Sequence, residues 1–278
     1  MRIATWNVNS IRTRKALVID FLHNSDIDVV LMQETKCRDD QFPFEDFEAA
    51  GYDVAHFGLN QWNGVGIASR LPLQDIEQGF PGMPGFSKDP SAEPALEARA
   101  LSATVEGFRL CSVYVPNGRA LDDPHLDYKL RFIEALGEHY RSYQELPGAV
   151  PVAIGGDFNV APEDSDVGDP AFLVPGTTHT SEDERGALQA FLARAGLRDT
   201  VRPLVPTGYT YWDYKQGKFP KDHGMRIDFI YGSESFASQV SHASIEKDQR
   251  NGEGPSDHVP VVVEVGGGDD DFDRPMVF

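Results

Sequence analysis

Cysteine is nearly absent from this chain: Cys37 and Cys111 are the two among 278 residues. So few thiols exclude a disulfide framework and a thiolate metal centre, and free thiols imply a reducing compartment. Apolar runs long enough to cross a bilayer are also missing. The N-terminus, MRIATWNVNSIRTR, turns polar after Trp6 and lacks the apolar centre of a signal peptide. Together these absences predict a soluble cytoplasmic protein. No self-similarity with a period of about 20–50 residues is visible, which excludes solenoids and propellers. Positive charge is scarce too. Against 25 Lys and Arg stand 44 Asp and Glu, a net charge of −19 that repels a polyanion unless a basic rim or a bound divalent cation reverses the sign locally.

What is present is material for a core. Hydrophobic residues make up 40% of the chain, enough for one large α/β domain or two small ones. Arg2 to Trp6 reads as a strand leading directly to Asn7, after which Leu17, Val18, Phe21 and Leu22 recur at helical spacing. A second strand, Val29 to Met32, runs into Gln33-Glu34-Thr35-Lys36. Tyr52 to Phe57 and Gly64 to Ser69 are expected as short antiparallel strands, and Ala98 to Val105 with Arg109 to Val115 as a hairpin. Between these pairs, the prolines and glycines of Gly79 to Pro94 predict a long irregular loop. Leu126, Leu130, Ile133, Leu136 and Tyr140 mark an amphipathic helix, and Ser181 with Glu184 a capping box opening another that Gly196 closes. Tyr209 to Tyr214 reads as an aromatic strand followed by a basic segment, Lys215 to Arg226. Strands at Ile227 to Tyr231 and Val259 to Val265 complete a mixed-sheet α/β layered fold with polar strand ends at one edge. Residues 1–265 are expected as a single domain and 266–278 as a flexible acidic tail.

The chemistry centres on PVAIGGDFNVAP, Pro151 to Pro162. Val152 to Ile154 suits one buried strand, Gly155-Gly156 is expected to bound it as a turn pair, and Asp157 and Asn159 are expected to project the same way. Alone, GDFN fits a plain Asx turn equally well. Other strand ends supply Asn7, Glu34, Tyr114 with Asn117, Asp228, and Asp257 with His258. Carboxylate oxygens are what magnesium takes from a protein, and amides donate to phosphate. The set is the inventory of a metal-assisted phosphodiester hydrolase. Two residues compete as its base: His258, with a reference pKa of about 6.5, and Asp157, whose reference of about 3.9 must first be raised by its surroundings.

TWNVNSIR, LMQETK, YVPNGR, GGDFNVAPED, TYWDY, MRIDFI and PSDHVP occur in this order between Met1 and Val265. As a set they resemble the exodeoxyribonuclease III family of abasic-site endonucleases, within the endonuclease/exonuclease/phosphatase superfamily. Inositol polyphosphate phosphatases of that superfamily carry an arginine where this chain has Ala161, and a WxDR motif where it has MRIDFI, so the nuclease branch fits better. The resemblance implies a four-layer α/β sandwich of two facing mixed sheets flanked by helices, and dependence on Mg2+ or Mn2+. It implies a monomer that cleaves duplex DNA 5′ to abasic sites and trims blocked 3′ ends as exonuclease and phosphatase. A phosphatase or phosphodiesterase acting on a small or lipid phosphate is the alternative.

Residue by residue, the resemblance makes Glu34 the principal metal ligand, with Asn7 beside it, Asp257 at a second position, and Asp157, Asn159 and His258 around the metal. Asp157 would activate water, Asn159 would hold the scissile phosphate, and Tyr114 would support the transition state. His258 would contact the phosphate, oriented by Asp228. Asn117, Arg119 and Trp212 would touch DNA or the extruded abasic sugar, and Arg12, Arg14 and Lys36 further phosphates.

Overall fold

Period-two alternation along the strands decides how the layers stack. In the computed structural model, which describes residues 1–266 except Pro90 and Pro175, the strands in chain order are β1 (Arg2–Asn7), β2 (Val29–Gln33), β3 (Asp53–Phe57), β4 (Val65–Ser69), β5 (Gln74–Gln78), β6 (Ala100–Val105), β7 (Phe108–Tyr114), β8 (Val152–Asp157), β9 (Leu197–Asp199), β10 (Asp228–Ser233), β11 (Val240–Ile245) and β12 (Val261–Val265). They form two six-stranded sheets, ordered β11-β12-β1-β2-β4-β3 and β5-β6-β7-β8-β10-β9. Within them β1 pairs β2 and β7 pairs β8 in parallel, while the other pairs are antiparallel. The tail expected at 266–278 lies, beyond Gly266, outside the described residues.

Ile3, Leu31, Ile67 and Val263 of the first sheet meet Leu101, Leu110, Ala153 and Ile230 of the second in one buried cluster. The alternate residues face outward. Trp6, Val30 and Met32 lie under α1 (Ile11–Asn24) and α2 (Phe44–Ala49), whose Phe21, Leu22 and Phe47 cover them. On the other side Val113, Ile154 and Phe229 pack against Phe132 and Leu136 of α3 (Pro124–Gln144) and Phe191 of α4 (Glu182–Arg194). The result is the expected four-layer sandwich, and a strand buried on both faces explains the unbroken apolar runs. Ser181 and Glu184 do form the capping box of α4. Among the described residues no helix is long and apolar enough to cross a membrane.

Three local expectations are corrected. Gly155 and Gly156 do not turn the chain; they lie inside β8. A Cβ on Gly155 would stand 2.7 Å from Leu31 Cδ1 of the facing sheet, and one on Gly156 would stand 1.9 Å from the Val113 carbonyl oxygen. Glycine is here because there is no room for a side chain. Asn159 does not continue the pleat beside Asp157, since its φ of 52° is left-handed. Tyr209 to Tyr214 forms no strand: Tyr211 makes only isolated bridges to Met225 and His258. Strands β5, β9 and β11 gave no sequence signal. Each lies at or next to a sheet edge and is short or polar, as in QDIEQ of β5.

Replacing Gly156 with alanine sets a methyl group against a backbone carbonyl that no rotamer change can move aside. Gly156→Ala is expected to cost about 1–3 kcal/mol or more. An unchanged urea midpoint would contradict this close approach.

Candidate active site

Strand register builds the site from two rows. Tyr114, Asp157 and Asp228 are paired across β7, β8 and β10, and all three fall on the inner-face parity of their strands. Asn7 and Gln33 are paired across β1 and β2 of the facing sheet, with Glu34 next in chain. At this edge the sheets meet: Asn7 Nδ2 donates to Glu34 Oε1 at 2.9 Å and to Asp157 Oδ2 at 3.0 Å. Ser256 Oγ donates to the Asn7 carbonyl at 2.7 Å and Trp6 Nε1 to the His258 carbonyl at 3.0 Å, which ties the Ser256-Asp257-His258 turn to the same strand end.

Glu34 stands where it does because of its neighbour. Both Glu34 and Lys36 have φ of 52°, and Thr35 between them is clamped by a chain running from the interior to the surface: Thr35 Oγ1 to His56 Nε2 at 2.8 Å, and His56 Nδ1 to Asp39 Oδ1 at 2.8 Å. Lys36 Nζ sits 2.6 Å from Glu34 Oε2 and donates to Asn9 Oδ1, so it belongs inside the cluster and not to an outer phosphate rim. Burial works to raise the Glu34 carboxyl, but Lys36 and Asn7 outweigh it and hold it below the usual range.

Glu34, Asp157 and His258 bring ligand atoms within 4.8 Å of one another. Burial, with Asp228 and Glu34 close by, pushes the Asp157 carboxyl up to about 7. Burial opposes charge on His258, yet the Asp228 and Asp157 carboxylates prevail and raise it to about 10. Its Nδ1 donates to Asp228 Oδ2 at 2.9 Å, while Nε2 faces Asp157 Oδ2 at 3.8 Å. With no cation bound, the ring is therefore held as an imidazolium at neutral pH, both nitrogens donating.

The other expected ligands are differently engaged. Asn7 turns its NH2 into the gap, its Oδ1 accepting from Asn9 N. Asn159 spends its NH2 on the Val115 carbonyl, and its Oδ1 accepts from Asn117 Nδ2 and His179 Nε2, both at 3.1 Å. Asp257 lines the same cavity, of about 280 Å³, but its Oδ1 accepts from Asn9 Nδ2. Crowded hard oxygens with an elevated carboxyl are what a divalent cation relieves, and one or two carboxylates suffice for a magnesium ion that keeps its waters. Glu34 and Asp157 fit that role.

Arg12 and Arg119 are exposed, the former at the start of α1 and the latter in the loop after β7. Arg14 is half-buried and donates to the Tyr214 hydroxyl at 3.0 Å. Trp212 is a correction. Expected against DNA, it is fully buried, packed on Phe219 and Gly224, with its backbone N–H donating to the Asp257 carbonyl. It braces the site from behind.

Reading the sequence missed His179, Lys129 and Asn9. His179 is buried at φ 73°, its pKa pushed down to about 4 by burial and by Lys129, and no periodicity marks its loop. Lys129, buried in α3 and paired with Glu184, donates to the Asn159 carbonyl at 2.6 Å. It lies on the helix face that pattern reading assigns to apolar packing.

The endonuclease/exonuclease/phosphatase family profile matches residues 4–258, nearly all of the described chain. The chain belongs to the endonuclease/exonuclease/phosphatase family. It is 30% identical over 275 residues to the exodeoxyribonuclease of Bacillus subtilis, covering 94% of this chain and 98% of that one. To exodeoxyribonuclease III of Haemophilus influenzae it is 28% identical over 273 residues, covering 95% and 99%. Among solved structures, the 3′ phosphatase NExo from Neisseria, bound to product DNA hairpin, superposes with a TM-score of 0.86 at 36% identity, covering 96% of this chain and 99% of that one. An AP endonuclease from Archaeoglobus fulgidus gives 0.85 at 33% identity, covering 95% and 99%. Within the family, these similarities make this chain a hydrolase of the exodeoxyribonuclease III-like branch.

Truncating a buried indole leaves a large cavity, so Trp212→Ala is expected to cost about 3–5 kcal/mol of stability. A melting temperature unchanged by that substitution would mean the ring faces solvent after all.

Proposed function

We propose that this protein is a Mg2+-dependent DNA repair nuclease, a monomeric cytoplasmic enzyme that hydrolyses the phosphodiester 5′ to abasic sites in duplex DNA and trims blocked 3′ ends. Residues 1–265 are read as one catalytic domain. One observation carries the reading: inward-facing rows from two sheets converge so that Glu34, Asp157 and His258 surround a single small cavity. The relatives' names point to DNA; the geometry is what suits a phosphodiester.

A divalent cation held by Glu34, beside Asp157, would withdraw charge from the nonbridging oxygens and from the departing 3′ oxygen. The remaining steps belong to side chains. A phosphodiester repels nucleophiles because it is anionic, so the protein must present donors to it. His258, held protonated by Asp228, donates to the phosphate from Nε2. Asn117 and Arg119 bind the phosphate or its neighbours along the strand. Asp157, whose carboxyl burial raises to about 7 before a cation binds, takes a proton from water as the water oxygen attacks phosphorus and the bond to the 3′ oxygen breaks. Between the two candidate bases this favours Asp157, since a histidine titrating near 10 holds its proton at working pH. Tyr114, stacked under the Arg99 guanidinium 4.8 Å from its ring, stays protonated because burial raises its pKa, and offers a neutral hydroxyl to the transition state. Damage selectivity follows from the lower cost of extruding a nucleotide whose base is already missing.

The deciding experiment incubates the protein with an abasic-site duplex and Mg2+, with EDTA as control. Incision that chelation abolishes supports the nuclease; release of phosphate from inositol lipids without incision supports the phosphatase alternative instead. The pH dependence has a definite sign. Activity rises with pH as Asp157 ionises, at or below the value of about 7 that burial gives it without a cation, since a bound cation favours the carboxylate, and falls again as His258 deprotonates towards 10. Asp157→Asn is expected to lower kcat by about 10²–10⁴-fold, whereas His258→Asn removes the alkaline limb and keeps the acid one. An acid limb that persists in a still-active Asp157→Asn variant would assign the base elsewhere.

A further inference from the structure

Tryptophan is the rarest large residue in this chain, and one of its three copies is unaccounted for. Trp6 and Trp212 are 1% and 0% exposed, whereas Trp62, in the loop before β4, is 72% exposed. Leaving a bare indole in water gains nothing for the fold, and among the described residues no aromatic ring stacks on it. Trp62 instead forms one wall of a cavity of about 410 Å³. Phe86 forms another. Its ring is anchored against His125 and Tyr128, at centroid distances of 4.2 and 5.0 Å, and its backbone is pinned by paired hydrogen bonds with Ala95 at 2.9 and 3.0 Å.

Two further features say what the cavity takes. It adjoins the active-site cavity, since Tyr114 and Asn117 line both. It is also cationic in a strongly acidic protein. Lys88, Arg99 and Arg119 line it against one carboxylate, Glu97, which Arg99 already holds at 2.6 Å. Aromatic walls with cations at the rim, beside the site where a phosphate reacts, match a nucleobase whose own phosphates follow the rim. We propose that the Trp62–Phe86 groove is a base-stacking subsite for the nucleotide flanking the cleaved phosphate, an inference that rests on the DNA reading above. Stacking tolerates any base, so the groove adds affinity without reading sequence. It also gives a chain of net charge −19 a hold on DNA that depends less on salt than phosphate contacts do.

Because the other two tryptophans are buried, emission that responds to DNA reports Trp62. With EDTA present to prevent turnover, an undamaged oligonucleotide duplex is expected to quench wild-type fluorescence, and Trp62→Phe to abolish the DNA-dependent part. Trp62→Ala is expected to raise KM for duplex DNA about 5- to 100-fold, with kcat within a few-fold and hydrolysis of bis(p-nitrophenyl) phosphate unchanged. Trp62→Phe, which keeps a stacking face, restores KM to within about twofold of wild type. Phe86→Leu, which retains packing on Tyr128, reproduces part of the KM effect. Substrates lacking one flanking base at a time locate the contact: at the right position wild type and Trp62→Ala become equal. DNA cleavage with no quenching and an unchanged KM in Trp62→Ala overturns the subsite alone. Quenching without cleavage overturns the nuclease reading, and with it the placement beside a cleaved phosphate, while base stacking on Trp62 stands.

Discussion

Among the described residues the Asn7 amide is the one group that hydrogen-bonds carboxylates delivered by both sheets, and the site depends on that double contact. Glu34 and Asp157 carry like charge, and nothing in either strand alone would hold them together. They are brought within reach because the sheets close down at this edge, and Gly155 of β8, facing Leu31 and Thr5, leaves the space for that approach. Asn7 then neutralises part of the repulsion by donating one hydrogen to each. The rest is visible as the elevated Asp157 carboxyl, which is the electrostatic signature of a place that wants a cation.

Around this centre, charge is sorted by position. Asp228, buried behind His258, keeps the imidazole protonated, and the imidazolium in turn moderates Asp157. Lys36 compensates Glu34 from the opposite side. Four carboxylates, Glu34, Asp157, Asp213 and Asp257, line the cavity itself, so positive charge where a phosphate would sit has to come from the His258 imidazolium and from a bound divalent cation. Net charge describes the whole surface, while the field in a cleft depends on the few groups facing it.

Scaffold and loops divide the work unequally. The β7-β8-β10 register delivers Tyr114, Asp157 and Asp228 as one rigid row, whereas Glu34, Asn159 and His258 sit in loops held by polar fasteners. The Thr35-His56-Asp39 chain, the Lys129-Glu184 pair and the Ser256 hydroxyl are those fasteners. Residues at positive φ, including Glu34 and Asn159, persist because such fasteners over-determine them.

From the amino-acid order alone came the α/β class, most of the strands and helices, the α4 capping box and the polar residues at strand ends. These are local properties, because periodicity and capping operate within a few residues of chain. Edge strands β5 and β11 escaped notice because an edge needs no apolar period, and the aromatic run at Tyr209 to Tyr214 misled because β-propensity is overridden by packing. Only the tertiary structure decided which residues share a site and in which protonation state. The Asp157 and His258 pKa values come from burial and from charges far away in sequence, so no reading of neighbours along the chain contains them. It likewise exchanged two tryptophans: Trp212 went into the core and Trp62 to the rim, a choice made by three-dimensional burial that residue type does not record.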